Sequence, residues 1–564
     1  MTCRTFIGIC ALMLGAIPRP VSGAEEPYDL IVRNGRLVDG TGGPWRRGDL
    51  AIRGDRIAAM GVIPADAPTK RTIDAGGRMV SPGFIDAHSH SDMLILEDGS
   101  AQSKVRQGVT TDVLGESHSA GPSKGKRPAE TVEFGGVTYR WSTLGGYLDS
   151  VDKAGVAINV ASHVGMATVW ECVMGDSFDR PTPAQFDEMK ALIAEAMDEG
   201  AFGMSSMLAS PPGLLATTDD VALMASAIKA RDGLFSSHIR NEGPDVLKSI
   251  DEAIAVGEKA GVRVDVIHLK IADKSNWGRM AEVVARFEAA RARGVDVQAN
   301  VYPYTRGNND LVTILPPWAH EGGKADLLKR LADPEARARM KRDIRGGIPG
   351  WYNHFTAVGG DWSRMLLSAK LSSKNQKYEG KTMDVILPSM AIGRNPAPED
   401  LDLLFDFLID EDGSIGTIYA HHTEEDMTTA MRQPWCSIGS DGSAMAIEGP
   451  LRRGHPHPRN FGTFPRVLGV YARERGVLRV EEAVRKMTSL NANKLGLTDR
   501  GLLRPGMYAD VVVFDPDTVI DRSTFLEPFA YNEGIEAVIV NGVPVLEAGK
   551  PTGAKPGRAL RKGR

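Results

Sequence analysis

The chain has 564 residues, 42% of them apolar and 25% charged, with a formal net charge of −5. That is the composition of a soluble globular protein, too long for one ordinary small domain, so a large barrel or two domains is expected. No long basic run occurs, which argues against a nucleic-acid partner, and small-molecule substrates stay open.

The opening stretch "MTCRTFIGICALMLGAIPRPVSGAEE" carries Arg4, an apolar core over residues 6–17 and then small residues. It reads as a secretory signal over residues 1–23, cleaved after Gly23, and predicts a periplasmic or secreted protein. The apolar core is shorter than the roughly 20 residues that cross a bilayer, and no later segment is long and apolar enough to do so. Cys10 lies inside that core, which argues against a lipid-bearing cysteine. With Cys3 and Cys10 removed, only Cys172 and Cys436 remain, too few for a disulfide scaffold. A Cys172–Cys436 pair and two reduced thiols are both open.

"YDLIVRNGRLVDG" alternates, meets Asn34-Gly35 and alternates again, which predicts a hairpin turning at that pair. "GDLAIRGDRIAAMG" repeats the pattern. Near the other end, "ADVVVFDPDTV" and "IEAVIVNGVPVLEAG" do the same, turning at Asn541-Gly542. The simplest arrangement is one small β domain built from both chain ends.

The middle alternates strand-like and helix-like runs. "AINVASHVG" precedes "PAQFDEMKALIAEAMDEG", "LFSSHIRNEG" precedes "DVLKSIDEAIAVGEKAG", and "VRVDVIHLK" precedes "GRMAEVVARFEAARARG". Repeated βα units predict an α/β protein with a parallel sheet, and their number favours a (β/α)8 barrel. The rhythm breaks over about 315–397, which fits an insertion over the barrel mouth. Domain bounds follow: β domain over 24–81 and 490–564, barrel over 82–489.

The chemistry-bearing residues fall at predicted strand ends. His88 and His90 follow the first strand, Glu116 the second, His163 the third, His238 the fifth, His268 the sixth and Asp441 the last. Barrel strand ends share one mouth, where barrel active sites sit. Imidazoles with carboxylates suit zinc with a position left for water. Such a site supplies a nucleophile at neutral pH and polarises a carbonyl, with Asp441 placed to carry the proton.

The phrases "GFIDAHSHSD", "QGVTTDVLGE", "SSHIRNEG", "ANVYPYT", "IGSDGS" and "GTFPRVLG" make the chain resemble the amidohydrolase superfamily, and within it the D-aminoacylase (N-acyl-D-amino-acid deacylase) family. The likeness runs from about Tyr28 to Arg564. It implies a (β/α)8 TIM-like barrel, a small β-sandwich domain from both chain ends, an inserted lid segment, and one or two zinc ions. By the same resemblance His88, His90, His238 and His268 are metal ligands, and Asp441 is ligand and general base. Lys270 and Tyr302 would hold substrate, and Arg240 and Glu242 would support the ligands or contact substrate. His163, read from its strand end, supports the ligands, faces substrate or is structural. Many relatives place a metal-binding cysteine after the second strand. Here "GESHS" puts Ser117 at that place, and serine is a poor zinc ligand, so Glu116 is the expected substitute. Trp170 stands near an arginine the resemblance implies, which points to different or more apolar substrates.

Any one of these histidines alone would read as a packed core or loop residue; together they read as a metal site. His118, His421, His422, His455 and His457 are expected on the surface or in loops, with Thr423 capping the next helix. Asp92 is expected behind the ligands or as a helix cap, and the basic tail "GKPTGAKPGRALRKGR" as a solvated end. The implied activity is hydrolysis of N-acyl-amino acids, of D configuration by resemblance. Alternatives are a dipeptidase-like or cyclic-amide hydrolase, and a binding protein on a catalytically dead barrel. Oligomeric state is open.

Overall fold

A computed structural model describes residues 26–563; the expected signal segment lies outside the described residues. The two chain ends meet in one nine-stranded sheet. Met79–Pro82 from the first end pairs antiparallel with Val511–Phe514 from the second, with Val80 opposite Val513. Its core packs Leu30, Val32, Leu50, Ile52, Val80, Val511, Val513 and Ile539. Asn541-Gly542 makes the tight turn between Ile535–Val540 and Val543–Glu547, both residues at positive φ. Asn34-Gly35 does not turn the chain. Leu30–Leu37 is one strand, with a bulge between Val32 and Gly35 that takes up the positive φ of Asn34. Asp49 Oδ1 accepts from the Asn34 amide at 2.9 Å and holds the bulge.

Eight parallel strands form the barrel. In order they are Phe84–Asp86, Val109–Leu114, Asn159–Ser162, Gly203–Met207, Leu234–His238, Arg263–Val266, Val297–Val301 and Cys436–Ile438. Every residue of Val109–Leu114 is buried, as in a strand covered on both faces. The third strand breaks at His163 and resumes at Val164–Gly165 to pair with the fourth. The eighth strand pairs with the seventh and reaches back to the first, where Ser89 bridges Gly442. The helices between strands carry their own stop signals. Pro183–Glu199 starts on a capping box of Thr182 and Gln185 and ends at Gly200, φ +118°.

Between the seventh and eighth strands lies a segment with its own sheet and core. Its strands Gly307–Asp310 and Met365–Leu367 both pair with Gly416–Tyr419. Gly307–Asp310 and Gly416–Tyr419 lie outside 315–397, so the inserted segment is longer than the break in rhythm suggested; its first strand is the polar "GNND", which carries no strand signal.

The basic tail is not a solvated end. Gly557 donates to the Val156 carbonyl at 2.8 Å and Leu560 to the Val160 carbonyl at 2.7 Å. The Leu560 side chain packs with Ile85, Val113, Ala161, Phe202 and Leu234 at the barrel end remote from the predicted site. Cys172 and Cys436 are buried free thiols. Among the described residues no helix is long and apolar enough to cross a membrane.

Candidate metal centre

Six side chains reach the barrel mouth from five strands. Glu116 stands at their centre. Its Oε2 is 2.6 Å from His88 Nε2 and 3.0 Å from His90 Nε2. Its Oε1 is 3.3 Å from His238 Nδ1 and 3.8 Å from His268 Nε2. Asp441 Oδ1 completes the first side, 3.0 Å from His90 Nε2. The donors thus form two sets, His88–His90–Glu116–Asp441 and Glu116–His238–His268, each set's ligand atoms within 4.8 Å of one another. His238 Nδ1 and His268 Nε2 face each other at 2.9 Å. Imidazole nitrogens and carboxylate oxygens converging this closely on buried points are the donor set of a zinc-type ion, with Glu116 able to bridge two.

The backbone is bent to bring them in. His268 and Asp441 follow their strands at φ +38° and +53°, a left-handed region costly for residues other than glycine. The chain locks these turns to one another: the Asp441 amide donates to the His88 carbonyl at 2.8 Å, and the His90 amide to the Gly442 carbonyl at 3.0 Å.

Beneath lies a fully buried lysine. Lys104 Nζ donates to Asp86 Oδ2 at 2.7 Å, Ser89 Oγ and Ser440 Oγ at 3.0 Å and the Gly442 carbonyl at 3.1 Å, and lies 3.2 Å from Asp112 Oδ1. Burial opposes its charge, but the Asp112 and Asp86 carboxylates outweigh that and raise its pKa. One ammonium therefore ties the loop bearing His88 and His90 to the loop bearing Asp441.

The ligands are held from behind. Glu242 Oε1 lies 2.5 Å from Lys270 Nζ and 3.1 Å from His268 Nδ1. Lys270 Nζ also lies 2.8 Å from His268 Nδ1, so the ring is held at that edge and its Nε2 is the nitrogen that faces Glu116 and the cluster. Arg459 donates to Asp441 Oδ2 at 2.6 Å, so Oδ1 is the oxygen that faces the cluster. Burial would raise the Asp441 carboxyl, but Arg459 and the His88 and His90 rings hold it well below the usual range.

The cluster opens into a cavity of about 250 Å³ also lined by Lys270, Tyr302, Gly307, Asn308, Asn309, His354 and His421. Tyr302 Oη is buried with no hydrogen-bond partner among the described residues. An adjoining chamber of about 470 Å³ shares Met207, Asn309 and His354 and continues along Leu214, Val312, Leu315 and Trp351, with no lysine or arginine in its wall. On the other side a recess of about 430 Å³ carries Lys370, Arg453 and Arg459.

Arg240, His163 and Trp170 do not line the cavity. Arg240 spends its donors on Glu252 at 2.8 and 2.9 Å and on the Leu214 and Ala216 carbonyls, because Glu252 one helical face away neutralises it. His163 is buried at the break in the third strand and does not line the cavity; burial pushes its pKa down to about 4 and keeps it neutral. Trp170 is fully buried on the helix Met166–Met174, packed edge-on against Phe186, and lines none of these cavities. Asp92 caps no helix, since Leu94–Glu97 starts without a side-chain cap; burial raises its carboxyl to about 6. His118 is exposed as expected, and Thr423 caps Glu424–Met431. His421, His422 and His457 lie in loops, as expected, but are buried: His422 packs against Tyr302, and His457 against Tyr302, Tyr304 and Phe525. Arg459, His354 and Asn308 were not marked by any strand-end pattern.

The chain matches the amidohydrolase family over residues 71–341 and 400–546. It belongs to that family. An N-acyl-D-glutamate deacylase of Alcaligenes xylosoxydans xylosoxydans is 35% identical over 541 residues, covering 95% of this chain and 97% of the relative. A D-aminoacylase of the same organism is 34% identical, covering 95% and 98%. Among solved amidohydrolase structures, N-acyl-D-glutamate deacylase of Bordetella bronchiseptica, complexed with zinc and a phosphonate mimic of the tetrahedral intermediate, is 31% identical. It covers 95% of this chain and 100% of that one, with a TM-score of 0.78. A D-aminoacylase structure described by its binuclear metal centre is 32% identical with a TM-score of 0.77 and the same coverage. This amidohydrolase presents Glu116, with a serine after it, at the centre of its donor set.

Proposed function

We propose that the protein is a metal-dependent deacylase of N-acyl-amino acids, of D configuration, that releases the free amino acid and a carboxylate. The observation that carries this is the pair of donor sets sharing Glu116. Set beside the family membership and the relatives' activities, it supports His88, His90, Glu116, His238, His268 and Asp441 as the residues that hold one or two zinc ions. Bound there, zinc polarises a carbonyl oxygen and makes water nucleophilic near neutral pH.

The chain's own groups do the rest. Asp441 Oδ1 faces the cluster while Arg459 pins Oδ2, so the carboxylate takes the proton of the attacking water and returns it to the leaving nitrogen. Tyr302 Oη, buried and unpartnered, is free to donate to the substrate's carbonyl oxygen or carboxylate. Lys270, neutralised in part by Glu242, supplies positive charge at the same wall. The cation-free chamber along Leu214, Val312, Leu315 and Trp351 takes an uncharged side chain, which favours N-acyl derivatives of apolar amino acids over those of glutamate. The pattern of residues 1–23 supports export to the periplasm or beyond.

The test is metal analysis of the purified protein, followed by amine release from matched N-acyl-D- and N-acyl-L-amino acids with leucine, phenylalanine and glutamate side chains. Zinc-dependent release from the apolar D series is expected. A protein that binds zinc but cleaves only dipeptides, or binds none and cleaves nothing, would sink the reading. Cell fractionation checks export.

A further inference from the structure

The cavity holds a histidine pair that the reading above does not use. His421 and His422 follow the strand Gly416–Tyr419 of the inserted segment. His422 Nε2 lies 2.8 Å from the Tyr304 carbonyl oxygen, and its Nδ1 lies 3.0 Å from His421 Nδ1. A carbonyl only accepts, so His422 Nε2 carries the hydrogen. Both rings are buried, and burial, with Lys270 nearby, depresses both pKa values, so each ring carries one hydrogen. His422 Nδ1 is then a lone pair, and His421 Nδ1–H must donate to it. That leaves a lone pair on His421 Nε2. His421 lines the same cavity as the metal-ligand cluster. The Gly307 backbone makes room for this edge of the ring, since a Cβ there would meet Nε2 at 2.9 Å.

The cavity wall therefore presents a fixed, uncharged acceptor. An N-acyl-amino acid with an apolar side chain has one hydrogen-bond donor, the N–H of the amide to be cleaved; its carboxylate and carbonyl only accept. We propose that His421 is a substrate-positioning residue that accepts a hydrogen bond from the scissile amide N–H. The relay through His422 to the Tyr304 carbonyl fixes the tautomer that makes this possible. The inference rests on the deacylase reading and adds to it a contact on the nitrogen side of the bond.

The test compares an N-acyl-D-amino acid with the O-acyl ester of the matching α-hydroxy acid, which has oxygen in place of N–H. Both are assayed as substrates, or as competing inhibitors where turnover is too slow to follow. His421→Phe should lower kcat/KM for the amide by about 10-fold, the scale of one hydrogen bond, and leave the ester within about 2-fold of the wild type. His421→Asn, which restores an acceptor, should recover part of the amide rate and guards against a folding defect in the Phe variant. Equal losses on amide and ester, or no loss on either, would overturn the role of His421. A zinc-loaded wild type that cleaves neither would instead overturn the deacylase reading, and this contact with it.

Discussion

Glu116 is the residue on which the two halves of the donor set depend, since each of its oxygens faces a different group of imidazoles. Glu116→Gln keeps the shape and removes the charge. It should lower the zinc retained after dialysis well below that of the wild type, read by metal analysis; unchanged zinc content would show that Glu116 is only a buried hydrogen-bond partner. Asp441 makes a different prediction. Asp441→Asn removes the proton carrier and keeps an oxygen in place. Turnover should fall by about 10²- to 10⁴-fold with metal still bound. Near-normal turnover would remove Asp441 from the chemistry. Both residues were legible in the sequence because each sits at a strand end beside an apolar run, and barrel topology brings strand ends together whatever their separation in the chain. Arg459 and His421 were not. Their place depends on a helix start and an inserted segment whose docking no local periodicity encodes. Arg240 misled for the reverse reason: it lies two residues from His238, a member of the donor cluster, and only the fold reveals that Glu252 on the following helix claims it.

At the scale of elements, the site depends on how the first and eighth strands are joined. Two loops that carry His88, His90 and Asp441 are cross-linked by their own amides and by Lys104 beneath them. The ammonium is fully buried between Asp86 and Asp112. Removing one member of such a group leaves uncompensated charge in the interior, which costs about 3–5 kcal/mol. Lys104→Met should therefore lower unfolding free energy by about that amount in urea titration, and lower zinc retention at temperatures where the protein remains folded. A stability change under about 1 kcal/mol would mean that the two carboxylates take up protons or water at little cost. The sequence shows Lys104 only as one polar residue in "AQSKVRQG"; that it is fully buried follows from barrel closure. Elsewhere the turn chemistry read well at Asn541-Gly542 and badly at Asn34-Gly35. The same dipeptide tolerates positive φ in a hairpin turn and in a bulge, and pairing with Arg46–Arg53 decides between them.

For the whole molecule, the active mouth and the opposite end of the barrel are stabilised by different parts of the chain. The inserted segment covers the mouth, while the last residues of the chain close the other end. Leu560 packs into the interior among residues of the first, second, third and fifth strands, Phe202 just before the fourth, and Ala492 and Leu495 of the helix Ser489–Leu495. A basic tail was expected to stay in solvent, since its charge outweighs one leucine in any compositional reading. It docks because its backbone finds carbonyl and amide partners on the third strand, which leaves Leu560 over an open apolar barrel end. Truncating that side chain creates a cavity that the surrounding strands cannot fill. Leu560→Ala should cost about 2–4 kcal/mol, since large-to-small changes in a core fall in that range. The metal site lies at the other end of the same strands, so kcat/KM and zinc content should stay at wild-type values below the melting transition. Thermal unfolding followed together with amide hydrolysis tests both halves. A lowered Tm with unchanged kcat/KM is expected; a loss of activity in the still-folded variant would mean that packing at the far end sets the geometry of the mouth.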